Sequence, residues 1–212
     1  MSSTIGIALG CFVLIVLLSV MNGFEKELTS RILSVVPHGE LYSKSESGIE
    51  NLDAQLYRLS QDSRIASVTP YTGITGMLQS KGELKAISVT GIPVNSVSDK
   101  YAERVTSEDW QRFSTQKNGL IVGKGIFASM DLNIGDIVQI LIPQTTQDLT
   151  FKATRSITLS ISGVLSVGGE LDNQLGLMHL ETASEAIGIS SKSQGIQFTL
   201  IDPFSSYDTM RD

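Results

Sequence analysis

The sequence contains one cysteine and two histidines among its 212 residues, so it offers few side chains for metal binding or catalysis. Cys11 has no second cysteine to pair with, which excludes an intrachain disulfide and a metal site built on cysteine. His38 stands beside a proline, His179 lies inside a predicted strand, and no G-x-S-x-G motif of an elbow serine hydrolase is present. The sequence therefore predicts a protein that is not an enzyme and that uses no metal or cofactor.

The sequence is also poor in positive charge, with 16 lysines and arginines against 22 aspartates and glutamates and a net charge of −6. No run rich in lysine or arginine appears. Because proteins that bind nucleic acids neutralise phosphates with such residues, we expect no nucleic acid among the partners.

The segment GLIVGKG superficially resembles a nucleotide-binding phosphate loop. That loop requires a wider spacing between its glycines and a serine or threonine after the lysine. Here Gly119 and Gly123 are separated by three residues, and a glycine follows Lys124. We interpret the segment as a tight strand-to-helix turn, so that any role that uses ATP requires a separate ATPase subunit.

A long apolar run stands at the N-terminus. Residues 4–20 contain no charged residue and are dominated by leucine, isoleucine, valine and phenylalanine. About 17 helical residues at ~1.5 Å each span ~26 Å, close to the ~30 Å hydrocarbon core of a bilayer. A cleaved signal peptide is the alternative, but MSST lacks a basic start and SVMNGF offers no convincing cleavage site. The run therefore predicts an uncleaved transmembrane helix, in which the Gly6 and Gly10 pair lets a second membrane helix approach closely.

The same helix is predicted to continue beyond the apolar run as a stalk, so that residues 1–38 form one segment that ends at a proline. An apolar stripe of Met21, Phe24, Leu28 and Ile32 recurs at helical spacing, while charged residues fill the other face. From the residues alone, this stripe either contacts a lipid-like substrate or packs against its own domain or a sister helix.

The residues after the stalk alternate between strand patterns and amphipathic helix patterns. We expect an α+β fold with mostly antiparallel pairing. The strands are predicted at 39–43, 65–92 around a turn at SKGE, 120–122, 137–142, 156–166, 175–181 and 195–202, and the helices at 49–61, 107–113, 125–130, 182–188 and 203–212.

We expect these elements to form two lobes. Residues 39–92 would combine with the closing strand and helix at 194–212, and residues 93–193 would be a lobe inserted between them. About 170 residues remain after the helix, which is enough for one domain or for two small lobes with a real core.

Several segments resemble the lipoprotein-releasing permeases LolC and LolE, namely STIGIALG, SVMNGFEKEL, SRILSVVPHGE, LIVGKGIFASMDLNIGD and SGVLSVGGELDNQLGLMHL. The VVPHGE, GKG and GELD segments are closer to LolE. The resemblance covers nearly the whole chain and implies a type VII ABC transporter permease of the MacB/FtsX-like superfamily. In that superfamily a periplasmic domain with a Porter lobe and an inserted Sabre lobe follows the first of four membrane helices, and the chain would be that part of a longer subunit.

The resemblance also implies a complex in the bacterial inner membrane, with residues after about 25 in the periplasm. Its partners would be a LolD-like ATPase, a LolC-like sister permease, membrane lipid and a lipoprotein substrate that passes to a LolA-like periplasmic chaperone. LolC captures that chaperone with a hook loop. The corresponding residues 144–155 lack the proline-rich character of the hook, so we do not assign chaperone capture to this subunit.

For the apolar stripe, the resemblance favours lipoprotein binding, with Met21 and Phe24 lining the lipoprotein cavity. Two other functions stay open. A MacB-type exporter subunit or FtsX-like regulator would bind a periplasmic partner, and a membrane-tethered sensor or interaction domain would act without an ATPase.

Overall fold

A computed structural model gives the fold and describes residues 2–33, 39–43, 47–94, 101, 104–143 and 155–201. In the first helix, side chains are described only from Ile5 to Phe24. The chain divides into two units, Met1–Val36 and Pro37–Asp212.

One uninterrupted helix, α1 (Ser2–Leu33), forms the described part of the first unit. It contains no proline, so no residue removes a backbone hydrogen bond from its interior. The segment Ile5–Phe24 is long and apolar enough to cross a membrane, and each of its side chains is exposed. Because a helix that is apolar on every side is stable in lipid rather than in water, α1 agrees with the predicted transmembrane helix. The predicted end of the stalk lies outside the described residues.

The second unit is an α+β domain in which helices are packed on a mostly antiparallel sheet. Its strands are β1 (Gly39–Tyr42), β2 (Ile65–Ser80), β3 (Glu83–Ile92), β4 (Gly119–Gly123), β5 (Ile137–Ile142), β6 (Arg155–Leu165), β7 (Leu175–His179) and β8 (Gly195–Leu200). Its helices are α2 (Leu52–Ser60), α3 (Ser107–Thr115), α4 (Lys124–Ser129) and α5 (Leu180–Ile187), with a 3₁₀ helix at Gly169–Asn173.

The 16-residue strand β2 organises this sheet, because it pairs with different strands along its length. Residues 65–71 pair antiparallel with β8, which pairs antiparallel with β1. Residues 72–80 pair antiparallel with β3, and residues 77–79 also pair antiparallel with β5. The order β2–β3–β7–β4–β6–β5 then returns to β2, so six of the described strands form a closed circuit.

The hydrophobic core fills the inside of this circuit. Successive residues of a strand point to opposite faces, so the alternating Ile74 and Leu78 of β2 and Val138 and Ile140 of β5 all point inward and are buried. The other buried members of the core are Ile87, Val89, Leu120, Val122, Ile126, Met130, Leu132, Ile142, Leu159, Ile161, Met178 and Ala183. The strict alternation of SITLSISG predicts that Ile157, Leu159 and Ile161 face the core. Leu159 and Ile161 are buried, and Ile157 is partly buried and packs against the core.

The elements predicted within the described residues are present, with differences at their ends. The helix α5 begins at Leu180 rather than at residue 182, because the chain leaves the extended conformation directly after His179 and the Leu180 side chain is buried. Two of the strand pairs, β3–β7 and β4–β6, are parallel, while the others are antiparallel. The predicted loop or hairpin extension at 145–155 lies outside the described residues except for Arg155, which is the first residue of β6, and the predicted helix at 203–212 also lies outside them.

Hydrogen bonding joins the strands of the two predicted lobes. The strands β1, β8 and the first half of β2 all belong to the first predicted lobe and pair with one another. However, β2 and β3 also pair with β5 and β7, which lie in the predicted insertion. The sheet therefore extends through both parts, and the lobe boundaries stay a prediction.

Candidate functional site

The exposed side chains of α1 form the candidate site that the sequence predicts. Met21 and Phe24 are 67% and 65% exposed. With about 100° of rotation per residue, these two side chains lie about 60° apart around the helix axis. Gly6 lies about five full turns before Phe24, and therefore on the same side of the helix as Phe24. We call Gly6, Gly10, Met21 and Phe24 the α1 face.

The two glycines of the α1 face leave room for another helix. A Cβ atom added at Gly6 or Gly10 would meet no atom of the described chain within 4 Å. Ala8 and Asn22 lie on the opposite half of the helix by the same geometry, and both are exposed. Leu28 and Ile32 belong to the helix backbone, but their side chains are outside the described residues.

The chemistry of the α1 face is limited to apolar contact. Its side chains carry no group that accepts or donates a proton, so it has no means of acid–base or nucleophilic catalysis. Burying a side chain the size of methionine or phenylalanine is favourable by about 1.5–3 kcal/mol. The face is therefore suited to bind acyl chains or a neighbouring membrane helix.

The GLIVGKG segment forms the whole of β4 and the start of α4, which is the strand-to-helix turn that the sequence predicts. An added Cβ at Gly123 would lie 2.3 Å from the carbonyl oxygen of Asp172, and one at Gly125 would lie 2.2 Å from Oδ1 of Asn173. The 3₁₀ helix thus occupies the space in front of this turn, while Lys124 points to the exposed surface. The glycines are required for close packing.

We expect Gly123→Ala to lower the free energy of unfolding of the Pro37–Asp212 unit by about 1–3 kcal/mol, because the methyl group would collide with rigid backbone. Urea denaturation followed by circular dichroism measures this difference. Gly73→Ala is the control, since the nearest atom to its added Cβ is 3.7 Å away. Equal stability of the two variants would contradict the packing role.

The acidic residues of the neighbouring GELDN turn are engaged within the chain. Oδ1 of Asp172 accepts hydrogen bonds from the N–H groups of Val167 at 2.8 Å and Gly168 at 3.1 Å. Oε2 of Glu170 accepts a hydrogen bond from the amide of Asn173 at 3.0 Å. Among the described residues, no cluster of three or more histidine, cysteine, aspartate or glutamate side chains could hold a metal ion.

His179 has a packing role at the end of β7. Its Nε2 atom lies 2.7 Å from the carbonyl oxygen of Phe113, and the two rings meet edge to face with centroids 4.6 Å apart. Trp110, three residues before Phe113 on the same helix, also packs against the Phe113 ring, with centroids 5.5 Å apart. This histidine therefore joins α3 to β7 and has no nucleophile beside it in the described part of the chain.

A buried polar cluster lies where β2 passes from one set of partners to the other, and the sequence did not predict it. The hydroxyl groups of Thr72 and Ser184 are 2.8 Å apart, and both side chains are buried. The buried Ser193 donates a hydrogen bond to the carbonyl oxygen of Tyr71 at 3.0 Å, and the N–H of Gln194 donates to the same oxygen at 3.1 Å. The cluster fixes α5 and the chain before β8 to the middle of β2.

Tyr71 also links β2 to the edge of the sheet. Its hydroxyl donates to Oε2 of Glu40 at 2.9 Å, and the amide of Gln197 donates to the other carboxylate oxygen at 3.1 Å. Burial, followed by the adjacent Glu40 carboxylate, raises the pKa of Tyr71. The phenol therefore stays a neutral hydrogen-bond donor at physiological pH and ties β1, β8 and β2 together.

Comparison with known proteins gives consistent results for the whole chain. Residues 2–209 match the family described as MacB-like periplasmic core domain. The lipoprotein-releasing system transmembrane protein LolE of Haemophilus influenzae is 34% identical over 211 residues, which cover 96% of this chain and 50% of that protein. The protein LolC of the same system from Neisseria meningitidis is 27% identical over 210 residues, covering 96% of this chain and 49% of that protein.

A solved structure has the same fold. The extracellular domain of the noncanonic ABC-type transporter YknZ from Gram-positive bacteria superposes with a TM-score of 0.50 at 13% identity. The match covers 80% of this chain and 86% of that domain. The present chain spans about half the length of the curated relatives that it matches.

Proposed function

Because the chain belongs to the family of MacB-like periplasmic core domains, we propose that it is part of a permease subunit of an ABC transporter that releases lipoproteins from the bacterial inner membrane. The observation that carries this proposal is the similarity to LolE and LolC over 96% of the chain. The higher identity to a LolE, 34% against 27% for a LolC, favours a LolE-like subunit.

In this proposal α1 crosses the inner membrane and the residues after about 25 lie in the periplasm. The apolar surface of Ile5–Phe24 supports the membrane position, since its side chains are exposed on every side. The two-lobe division into 39–92 with 194–212 and 93–193 belongs to the same proposal.

The proposed partners follow from the similarity to LolE and LolC. Since GLIVGKG is a packed turn, ATP would be hydrolysed by a separate LolD-like subunit. A LolC-like sister permease would complete the membrane part, and a LolA-like chaperone would receive the lipoprotein in the periplasm.

The energetics of the substrate support a protein surface of this kind. Each buried methylene group of an acyl chain contributes about 0.8 kcal/mol to membrane anchoring, so a lipoprotein with several chains cannot leave the bilayer through open water. The chains must pass from one apolar surface to another. We assign Met21, Phe24, Leu28 and Ile32 to that passage, because Met21 and Phe24 are exposed where the apolar run of α1 meets its charged stretch.

Gly6 and Gly10 are assigned to close packing with a helix of the sister permease. We expect Gly10→Ile to reduce co-purification of that subunit roughly five- to thirtyfold, which corresponds to a loss of about 1–2 kcal/mol of helix packing. Quantitative immunoblotting of the detergent-solubilised complex measures this change. Ala8→Ile adds a similar side chain on the opposite half of the helix and should leave the amount unchanged, while equal amounts in both variants would contradict the assignment.

Reconstitution tests the proposed function. The full-length protein, co-purified with its ATPase and sister permease, is placed in liposomes with a radiolabelled lipoprotein, chaperone and ATP. The proposal predicts ATP-dependent transfer of the lipoprotein to the soluble fraction. If an ATPase co-purifies but no lipoprotein is released, an exporter or regulator of the MacB or FtsX type is the better assignment. If no ATPase co-purifies, a tethered interaction domain is the better assignment.

A further inference from the structure

The last part of β6 has an edge that no other strand covers. β5 pairs with β6 only as far as Ser160, and the turn before β5 then forms backbone hydrogen bonds with Ile161. On this side, residues 162–166 have no strand partner in the described part of the chain, apart from a single antiparallel bridge between Leu165 and Val105. Unpaired N–H and C=O groups at such an edge can pair with a strand of another chain.

Residues 104–112, which include the start of α3, lie along this part of β6, and we call them the edge cover. The carboxylate of Asp109 accepts a hydrogen bond from the N–H of Val164 at 3.2 Å. The guanidinium group of Arg112 donates a hydrogen bond to the carbonyl oxygen of Ser162 at 2.7 Å. One acceptor and one donor of the edge cover thus bond to alternate residues of β6, as the C=O and N–H groups of a neighbouring strand would.

The main chain fixes the first residues of the edge cover. The N–H of Ser166 donates a hydrogen bond to the carbonyl oxygen of Arg104 at 3.0 Å. The side-chain oxygen of Thr106 caps α3 by accepting a hydrogen bond from the N–H of Asp109 at 3.2 Å. Because this cap uses only the main chain of Asp109, a change of the Asp109 side chain leaves the cap in place.

The side chains of the edge cover lie close against the strand. Asp109 and Arg112 form an ion pair at 2.8 Å, and their side chains are only 14% and 34% exposed. A Cβ atom added at Gly163 would lie 2.5 Å from the Cβ atom of Asp109, so this glycine allows the close approach. Hydrogen bonds to charged groups contribute more to stability than those between neutral groups, which makes Asp109 and Arg112 the main contacts of the cover.

The residues under the edge cover lack the features that discourage strand pairing. Natural sheets protect an open edge with charged side chains, especially lysine, or with proline. The covered segment, SGVLS at 162–166, contains neither. Two copies of such an edge could pair antiparallel about a two-fold axis, because each supplies the same donors and acceptors.

We propose that the edge cover prevents β6 from pairing with the same edge of a second copy of this chain, and that the Asp109 carboxylate holds the cover in place. Hydrogen exchange of the whole chain, purified in detergent, tests the second statement. Asp109→Leu keeps a side chain of similar size but removes the acceptor, so we expect the Val164 amide to exchange about tenfold faster or more. Asp109→Asn keeps an acceptor oxygen and should exchange at close to the normal rate. Unchanged exchange of Ile87 and Val89 in β3 separates local opening from unfolding.

Light scattering during size-exclusion chromatography tests the first statement on the same preparations. We expect the protein mass of the Asp109→Leu variant to double as its concentration rises, while the wild type and Asp109→Asn keep a single mass. Glu108→Leu is the matched control, because it places the same apolar side chain at an exposed neighbouring position of α3 and should keep the wild-type mass. All variants contain the same α1, so association through that helix would affect them equally.

Arg112→Met provides a second variant, since it removes the donor to Ser162 without touching Asp109. It should change the exchange rate and the mass in the same direction as Asp109→Leu. Normal exchange of Val164 in both variants would mean that these side chains do not hold the cover. Faster exchange without a rise in mass would mean that the uncovered edge does not pair, and equal association of Glu108→Leu would mean that apolar surface alone drives it. Each of these results would overturn the proposal.

Discussion

We expect Phe24→Asp to reduce the rate of lipoprotein release by at least about tenfold, because a carboxylate would replace an apolar contact for the acyl chains. Placing aspartate in a membrane helix costs up to about 2.5–3.5 kcal/mol at the bilayer centre and less near its surface, and about 1.4 kcal/mol corresponds to tenfold in rate. The exposed position of Phe24 means that no other described side chain depends on it for packing. Release of radiolabelled lipoprotein from reconstituted liposomes measures the effect.

Asn22→Asp is the matched control for this substitution. It introduces the same charge at nearly the same depth, but on the opposite half of α1. It should release lipoprotein at close to the normal rate. Equal impairment of both variants would mean that the charge acts through membrane insertion, and normal release by Phe24→Asp would remove Phe24 from the lipid path.

We expect Phe113→Ala to lower the free energy of unfolding of the second unit by about 3–5 kcal/mol, which is the largest effect of a single substitution in its core. Phe113 is fully buried between Trp110 and His179, so that removing its ring leaves a cavity that α3 and β7 cannot close without shifting. Urea denaturation of the Pro37–Asp212 unit measures the loss.

Tyr57→Ala removes an aromatic ring of similar size from an exposed position on α2 and should change stability by less than about 0.5 kcal/mol. A loss below about 1 kcal/mol for Phe113→Ala would contradict the packing of α3 against β7.

The sequence predicts the elements of this protein well wherever local chemistry decides them. A single apolar segment in lipid can satisfy its backbone hydrogen bonds only as a helix, which decides the structure of α1. In SITLSISG the apolar residues alternate with polar ones, so they all lie on one face of the strand, and this face packs on the core. The turns at SKGE and GLIVGKG could be predicted for the same reason, because the glycines within each segment are enough to indicate a turn. Helical spacing also places Met21 and Phe24 on one face of α1, whereas their proposed role in lipoprotein binding rests on the resemblance to LolC and LolE.

Strand partners and buried hydroxyl groups could not be predicted in this way. Nothing in the residues of β2 indicates that its halves pair with different strands, because register and partner depend on packing between distant segments. Thr72, Ser184 and Ser193 are residue types that are usually exposed, so their burial at the junction has no sequence signal. Likewise, only the strand register shows that Met77 and Leu141 stand side by side.

The most direct test of the lipid path is photo-crosslinking of a bound lipoprotein in the complete complex. Benzophenone probes at Met21 and Phe24 should each capture the lipoprotein before ATP is added, and a probe at Asn22 should capture markedly less. When the complex is irradiated only after ATP and chaperone have been supplied, few adducts should form, because the substrate has then left the complex. If neither Met21 nor Phe24 yields a lipoprotein adduct in a complex that still releases lipoprotein, α1 does not line the passage and the proposed role of its apolar face is wrong.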